Sequence, residues 1–158
     1  MNSMFYGCSS LKELYLNNLN TNNVTDMRSK FSLCESLKVL NLNNFKTLNV
    51  TNINNMFSFC FSLEQIYLSN FNTNNVTDMS YMFFKCLSLK DLNLNNFNTN
   101  NVTNMSYMFS YCLSLKQLDF NNIIINNKTN LDLMFLECSN ELKMKYKTQY
   151  KNIKEKAF

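Results

Sequence analysis

A period of 26 residues runs through this sequence and limits what it can fold into. The six cysteines mark the period without a slip, at Cys8, Cys34, Cys60, Cys86, Cys112 and Cys138. Residues 86–111 make up one full repeat, which recurs in both directions with few changes. A fixed period of this length is typical of a solenoid, in which each repeat is one supersecondary unit stacked on the next. We therefore expect a solenoid of about five repeats over residues 1–138.

The first half of each repeat has the apolar pattern L-x-x-L-x-L, as at Leu89, Leu92 and Leu94. Its last two apolar positions alternate with polar ones, as in a strand with one buried face. Because the pattern recurs at a constant offset, the strands are expected to pair in parallel and to form one wall. The predicted strands lie within residues 11–16, 37–42, 63–68, 89–94 and 115–120.

The second half of each repeat has apolar residues at helical spacing. Val76, Met79, Phe83 and Cys86 would share one face of a helix. A threonine lies at the start of each such face and is a suitable N-cap, as at Thr77. The pattern predicts a short helix of roughly two turns in each repeat. The fold class is therefore α/β, a solenoid with a parallel β-sheet on one face and short helices on the other.

Asparagine is expected to form the corners of the repeats, since the chain has one glycine and no proline. Asparagine tolerates the left-handed backbone conformation and caps its own turns. An asparagine follows each predicted strand at the same offset, as at Asn44, Asn70, Asn96 and Asn122. This recurrence predicts a stacked ladder of side-chain amides that bond to a neighbouring backbone.

The ends of the sequence depart from the central pattern. Met4 and Cys8 match the second half of later repeats, so the array is expected to be truncated at its N-terminus. Residues 1–138 carry nine basic and nine acidic side chains, whereas residues 139–158 carry six lysines and two glutamates. We expect residues 139–158 to be a basic C-terminal cap or tail.

Two elements are predicted within this tail. Leu142, Met144 and Tyr146 alternate with lysines, which is typical of a terminal edge strand protected against aggregation. Residues 149–158 place apolar side chains at spacings that fit a short closing helix.

The evenly spaced cysteines have three interpretations: a buried ladder, disulfides or metal ligands. Stacking places neighbouring cysteines within the Cα range of a disulfide, but parallel Cβ vectors do not favour the bond. The sequence has no histidine and no C-x-x-C pair, which disfavours zinc. A buried ladder of free thiols is the favoured interpretation, because free cysteine is among the most buried residue types.

The sequence offers little for catalysis or cofactor binding. It lacks histidine, its carboxylates form no pair at a recurring spacing, and one glycine cannot form a phosphate-binding loop. We expect no enzyme activity, no cofactor and no metal. A neutral array with a basic end gives no argument for nucleic acid. No apolar run reaches the length of a membrane span, and the first residues do not resemble a signal peptide.

The recurring motif C-x-S-L-x-x-L-x-L-x-N-F-x-T-x-N-V-T-x-M-x-x-M-F resembles the BspA-like leucine-rich repeats of mycoplasma lipoproteins and other microbial surface proteins. The resemblance covers about residues 1–138. It implies a leucine-rich-repeat solenoid with a role in adhesion or partner contact. It also implies a location at the cell surface or outside the cell.

Partner-binding residues are expected on the outward face of the strands, where side chains differ between repeats. Tyr15 and Tyr67 are the strongest candidates, since tyrosine is rigid, amphipathic and enriched at binding hot spots. The full set of candidates is Glu13, Tyr15, Asn41, Gln65, Tyr67, Asp91, Asn93 and Asp119. These residues predict a protein-interaction or adhesion module for a protein or cell-surface ligand. The alternative is a structural spacer array within a larger surface protein.

Four N-V-T sequons recur in the array, at Asn23, Asn49, Asn75 and Asn101. If the chain is secreted through a glycosylating path, glycans are expected at these asparagines. The same asparagine and threonine residues are also suited to turns and caps, which explains the motif without glycans.

Overall fold

A computed structural model describes residues 2–126, 128–150 and 153–158. Its strands are β1 (Val39–Asn41), β2 (Gln65–Tyr67), β3 (Asp91–Asn93) and β4 (Gln117–Asp119). An α-helix, α1 (Asn140–Gln149), and a 3-10 helix, η1 (Glu155–Ala157), follow the last repeat. The strands recur at the 26-residue period and pair in parallel, β1 with β2 and β3 with β4.

Parallel strands are confirmed in four repeats, each with its central residue turned inward. Leu40, Leu92 and Leu118 are buried and Ile66 is half-buried, while the flanking strand residues are exposed. The strand predicted within residues 11–16 is wrong, because that segment makes no backbone ladder with β1.

The short helices predicted in the repeats are also wrong, because a ribbon of consecutive turns takes their place. Within one repeat, Met82 N donates to Met79 O at 3.3 Å and Cys86 N donates to Phe83 O at 3.1 Å. Between these bonds, Phe83 N donates to Met108 O of the next repeat at 2.9 Å. Half of the ribbon's backbone N–H groups therefore bond to carbonyls of the next repeat. In an α-helix these N–H groups would bond to carbonyls of their own segment. Turns in which a backbone N–H bonds to the carbonyl three residues earlier bury nearly the same positions as an α-helix does.

The threonines that were expected to cap helices join the repeats instead. Thr77 N and Thr77 Oγ1 both donate to Thr51 O, at 3.0 and 3.4 Å. Parallel bridges at the next residue continue this ladder: Asp26 to Asn52, Asn52 to Asp78, Asp78 to Asn104, and Asn104 to Asn130. The turn side of the solenoid is therefore bonded from repeat to repeat.

Two residues of each turn ribbon adopt a left-handed backbone conformation, which also prevents a regular helix. In the fourth ribbon these are Tyr81, with φ of 57°, and Lys85, with φ of 59°. Gly7, with φ of 73°, occupies the position equivalent to Lys85, whereas other ribbons have larger residues there. Each non-glycine residue in this conformation costs about 1–2 kcal/mol, which the bonds between repeats must offset.

A stack of phenylalanine rings forms the centre of the core. One phenylalanine from each turn ribbon contacts the next, with ring centroids 5.3–5.9 Å apart. The stack runs through Phe5, Phe31, Phe57, Phe83, Phe109 and Phe135. Five of these rings are fully buried or nearly so, and Phe5 is half-buried.

The cysteines form a second buried column beside these rings, as the favoured interpretation predicts. All six are free thiols, and all but Cys8 are buried. Each of the five buried thiols donates to a phenylalanine carbonyl in the preceding repeat, as Cys86 Sγ does to Phe57 O at 3.2 Å. The ladder interpretation is confirmed because the buried thiols have hydrogen-bond acceptors and no disulfide joins them.

We expect a thiol reagent at pH 8 to modify Cys8 rapidly and the five buried cysteines only as the protein unfolds. Burial raises the pKa of Cys34 to about 11 and that of Cys138 to about 12, so the reactive thiolate is scarce at these positions. Spectrophotometric titration with an aromatic disulfide reagent measures both populations. Six fast thiols in the native protein, or four or fewer in denaturant, would contradict the ladder.

The predicted asparagine ladder is confirmed at three corners that follow strands, those of Asn70, Asn96 and Asn122. Asn70 Nδ2 donates to Asn43 O at 2.7 Å, and Asn122 Nδ2 donates to Asn95 O at 2.8 Å. Asn96 Nδ2 contacts three carbonyl oxygens of the preceding repeat. These amides satisfy carbonyl groups that a turn leaves without a partner.

The edge strand predicted at Leu142 to Tyr146 is wrong, because these residues belong to α1. Ser139 caps the helix by accepting from Leu142 N at 3.2 Å. Leu142 and Tyr146 are four residues apart and share the buried face, whereas Met144 is 60% exposed. Tyr146 Oη donates to the Leu118 carbonyl of β4 at 3.2 Å, so the helix covers this strand.

The closing helix predicted over residues 149–158 is shorter than expected, since only η1 is helical among the described residues. Residues 151 and 152 lie outside the described part. Phe158 continues the ring stack, with its centroid 5.5 Å from that of Phe135. Leu133 N and Phe135 N donate to carbonyls of η1 residues, as they would to a following repeat.

Candidate functional site

All eight candidate partner-binding residues are exposed on the strand side of the solenoid. Tyr15 is 80% exposed and Tyr67 is 46% exposed, which is unusual for large hydrophobic side chains in this chain. Their inward neighbours Leu16 and Leu68 are buried and hold the segments to the core. The structure therefore presents these side chains to solvent as the alternating pattern predicts.

The strand side is divided by interruptions in the backbone ladder. The four strands form two separate pairs, with no ladder between β2 and β3. A second interruption separates residues 11–16 from β1. The turn side has no such break between these repeats, since its parallel bridges continue. The repeats consequently stay joined on one side and leave clefts on the other.

The first cleft lies between residues 11–16 and β1 and has a volume of about 980 Å³. It brings together Glu13, Tyr15 and Asn41 of the candidate set. Tyr15 Oη donates to Glu13 Oε2 at 2.8 Å, and this hydrogen bond raises the pKa of Tyr15 above its ordinary value. The bond orients an exposed aromatic ring beside a carboxylate, an arrangement suited to a polar partner surface.

The second cleft lies over the interruption between β2 and β3 and has a volume of about 330 Å³. The other five candidates line it: Gln65, Tyr67, Asp91, Asn93 and Asp119. Tyr67 Oη donates to Gln65 Oε1 at 3.2 Å, as Tyr15 does to its neighbour two residues earlier. The candidate set therefore forms two groups in two clefts, and the clefts share no lining residue.

The sequon asparagines have a structural role at three of the four positions. The amide nitrogens of Asn49, Asn75 and Asn101 donate to carbonyls of the preceding repeat at 2.7–2.9 Å. All four asparagines are exposed, and Asn23 makes no such bond. The structural explanation of the motif thus applies to three positions, while attachment of glycans stays a prediction.

A cluster of aromatic residues on the turn side was missed by the sequence analysis. It consists of Phe59, Phe61, Tyr81, Phe84, Tyr107 and Tyr111, all of them half-buried. We call this group the Phe84 cluster, since Phe84 contacts four of the other rings. The signal was present in the repeat alignment: serine stands at the position of Phe84 in three other repeats, as Ser32, Ser58 and Ser110.

The part of the chain that the structure describes contains no group of acidic, cysteine or histidine side chains that could hold a metal ion. None of its helices is long and apolar enough to cross a membrane.

Comparison with known families matches the chain over residues 1–67 and 26–153 to a family described as Mycoplasma protein of unknown function, DUF285. The chain belongs to this family. No curated protein matches it. The family and the stacked 26-residue repeats confirm the BspA-like leucine-rich-repeat solenoid that the motif predicts.

Two solved structures of leucine-rich-repeat proteins are similar to this DUF285 member. One is a leucine-rich repeat protein from Bacteroides ovatus, with 21% identity and a TM-score of 0.42 over 80% of this chain and 40% of that chain. The other is a leucine rich cell surface protein from Faecalibacterium prausnitzii, with 18% identity and a TM-score of 0.31 over 72% and 34%. The chain therefore spans less than half the length of either protein.

Proposed function

We propose that this chain is a protein-interaction or adhesion module at the cell surface that binds its partner through the two strand-side clefts. The observation that carries the proposal is that recurring and varying positions of the repeat have different structural roles. Residues that recur at the 26-residue period are committed to the core and to bonds between repeats. The outward strand positions differ between repeats, are exposed and line the clefts.

The chemistry of the clefts fits a polar macromolecular partner. Each cleft presents one exposed tyrosine beside hydrogen-bonding side chains, and tyrosine contributes strongly to protein interfaces. Lys12 and Lys38 also line the first cleft, whereas Asp91 and Asp119 line the second. The two clefts therefore differ in charge, which favours a partner with an extended and charge-patterned surface.

Binding is expected to fall at least tenfold in the combined variant Tyr15→Asn, Tyr67→Asn and Asp91→Gln. Each substitution introduces the residue type that another repeat carries at the same position, such as Asn41, Asn93 and Gln117, so the fold is retained. The measurement is the saturable attachment of protein-coated beads to cultured epithelial cells, with thermal melting as the check on folding.

The matched control is the variant Leu48→Asn and Ile124→Asn. Both side chains are exposed and apolar, both lie outside the clefts, and asparagine occupies their positions in other repeats. This control should bind as the wild type does. Equal attachment of all three proteins, or no saturable attachment, would favour the structural spacer over the interaction module.

A further inference from the structure

The Phe84 cluster is a second surface on this chain, separate from the strand-side clefts. None of its six aromatic residues lines either cleft. It lies on the turn side, where the ribbons of the third, fourth and fifth repeats are joined by backbone bonds. Leu87 and the 56% exposed Leu113 follow the cysteines of two of these ribbons, at the position that Phe61 occupies in the third. The repeat fold does not require such a patch, since the other ribbons lack it.

Phe84 creates the cluster because a large ring replaces a small buried residue. The equivalent Ser58 and Ser110 are buried, but Phe84 is only half-buried. Its ring meets those of Phe59 and Tyr81 edge to face, each at 5.3 Å between centroids. The ring of Phe84 also meets those of Tyr111 and Tyr107 edge to face, with centroids 5.8 and 6.4 Å apart.

The ammonium group of Lys85 occupies the cluster. Lys85 Nζ lies over the rings of Phe59, Phe84 and Tyr111, at 5.4–5.5 Å from their centroids. No acidic side chain of the described residues pairs with it. Three rings therefore hold one half-buried cation that forms no ion pair with any carboxylate of the described residues. Such a group complements an anion on a partner.

The arrangement of the rings favours a polypeptide over a sugar or a membrane. Tyr81 and Tyr107 stack on each other at 4.6 Å, and Lys85 covers faces of three other rings, so little flat surface is left for a sugar ring. Binding to an anionic membrane needs several clustered basic residues, and Lys85 is the cation that contacts these rings. Aromatic residues with few charges at the centre are typical of protein interfaces.

We propose that the Phe84 cluster docks an apolar segment of a partner protein that carries one carboxylate. Its apolar side chains would cover the aromatic rings, and the carboxylate would pair with Lys85. The hydroxyl groups of Tyr81, Tyr107 and Tyr111 make no hydrogen bond in the described structure and can donate to the same carboxylate or to the backbone of the segment.

The test is selection of a random twelve-residue peptide library displayed on phage against the intact chain. We expect the selected peptides to combine aromatic or aliphatic residues with one Asp or Glu. As synthetic peptides they should bind at least tenfold more weakly to Phe84→Ser and to Lys85→Leu. Replacing the acidic residue by its amide should cause a similar loss. Ser58 and Leu33 occupy these positions in other repeats, so both variants should fold, and melting verifies this.

Tyr67→Asn, in the strand-side cleft, is the control and should leave the peptide affinity unchanged. Three results would overturn the proposal: selected peptides that bind both cluster variants as tightly as the wild type, no enriched peptide, or enriched peptides without an acidic residue. Binding to vesicles containing phosphatidylserine that Phe84→Ser abolishes would indicate a membrane surface instead. Dimers of the wild type that Phe84→Ser converts to monomers, measured by sedimentation, would indicate a second copy of the chain. Either result also overturns the proposal.

Discussion

Replacing Phe83 by alanine is expected to lower the free energy of unfolding by about 3–5 kcal/mol. Phe83 is fully buried in the middle of the ring stack, with centroids 5.3 Å from Phe57 and 5.9 Å from Phe109. Its removal would leave a cavity between two rings that the backbone bonds of their own ribbons hold in place. Collapse of the cavity would require those bonds to shift, so we expect the upper part of the range.

Urea denaturation followed by circular dichroism measures this loss. Leu113→Ala is the control, because Leu113 is 56% exposed and should lose less than 1 kcal/mol. A solenoid also permits a sharper test, since each repeat contacts only its neighbours. Hydrogen exchange should therefore accelerate most in the turn ribbons on either side of Phe83. A loss below about 1 kcal/mol for Phe83→Ala would show that the ring stack does not hold the repeats together.

The sequence was sufficient to predict the stacking of the repeats but not the backbone of the turn ribbon. A buried residue at every third or fourth position fits a helix, and Met79, Met82, Phe83 and Cys86 are indeed all buried. The same spacing arises when turns alternate with left-handed residues. Nothing in the side chains of Tyr81 or Lys85 signals a positive φ, because glycine or asparagine would be the usual indication. The bonds that decide between the two structures run between repeats.

The pattern of the C-terminal segment was ambiguous as well, but here a predicted strand is a helix in the structure. Leu142, Met144 and Tyr146 fit an alternating strand, and two of the three also fit a helix with a period of four. The decisive features are local ones: Ser139 supplies an N-cap, and Tyr146 finds a carbonyl acceptor on β4. A capping residue was therefore the better guide to this element than apolar alternation.

The candidate residues on the strands were predictable as exposed, since alternation alone determines which side chains face outward. Their division into two clefts was not predictable, because the five repeats have nearly the same strand pattern. The interruption after β2 coincides with Ile66, where other repeats have leucine, and Ile66 is only half-buried. The Phe84 cluster, in contrast, could have been found by comparing repeats column by column for departures from serine.

Replacing Lys30 by methionine is expected to raise the free energy of unfolding by on the order of 1–3 kcal/mol at pH 7. Lys30 is fully buried, and its position in the turn ribbon is occupied by Met56, Met82 and Met108 in later repeats. Its ammonium group donates to Met4 Sδ at 3.5 Å and lies 5.7–5.9 Å from three phenylalanine centroids, and such contacts recover part of the cost of removing the charge from water. Methionine removes that cost and fills the column as in its neighbours.

The pH dependence of the unfolding free energy distinguishes the cost of burying the Lys30 charge from a gain in packing. Burial lowers the pKa of Lys30 in the folded protein below its unfolded value of about 10.4, so between these two pKa values the unfolded chain binds more protons. The wild type therefore gains stability from this group as the pH rises through that window, and the Lys30→Met variant does not. The buried thiols have raised pKa values and act in the opposite direction, but they are common to both proteins and cancel in the difference.

The advantage of Lys30→Met over the wild type should thus shrink between pH 7 and pH 10 in urea denaturation, whereas Lys46→Met, at an exposed lysine, should show little change. An advantage that stays constant with pH would mean that Lys30 is not destabilising as a buried cation, and that the gain comes from shape alone.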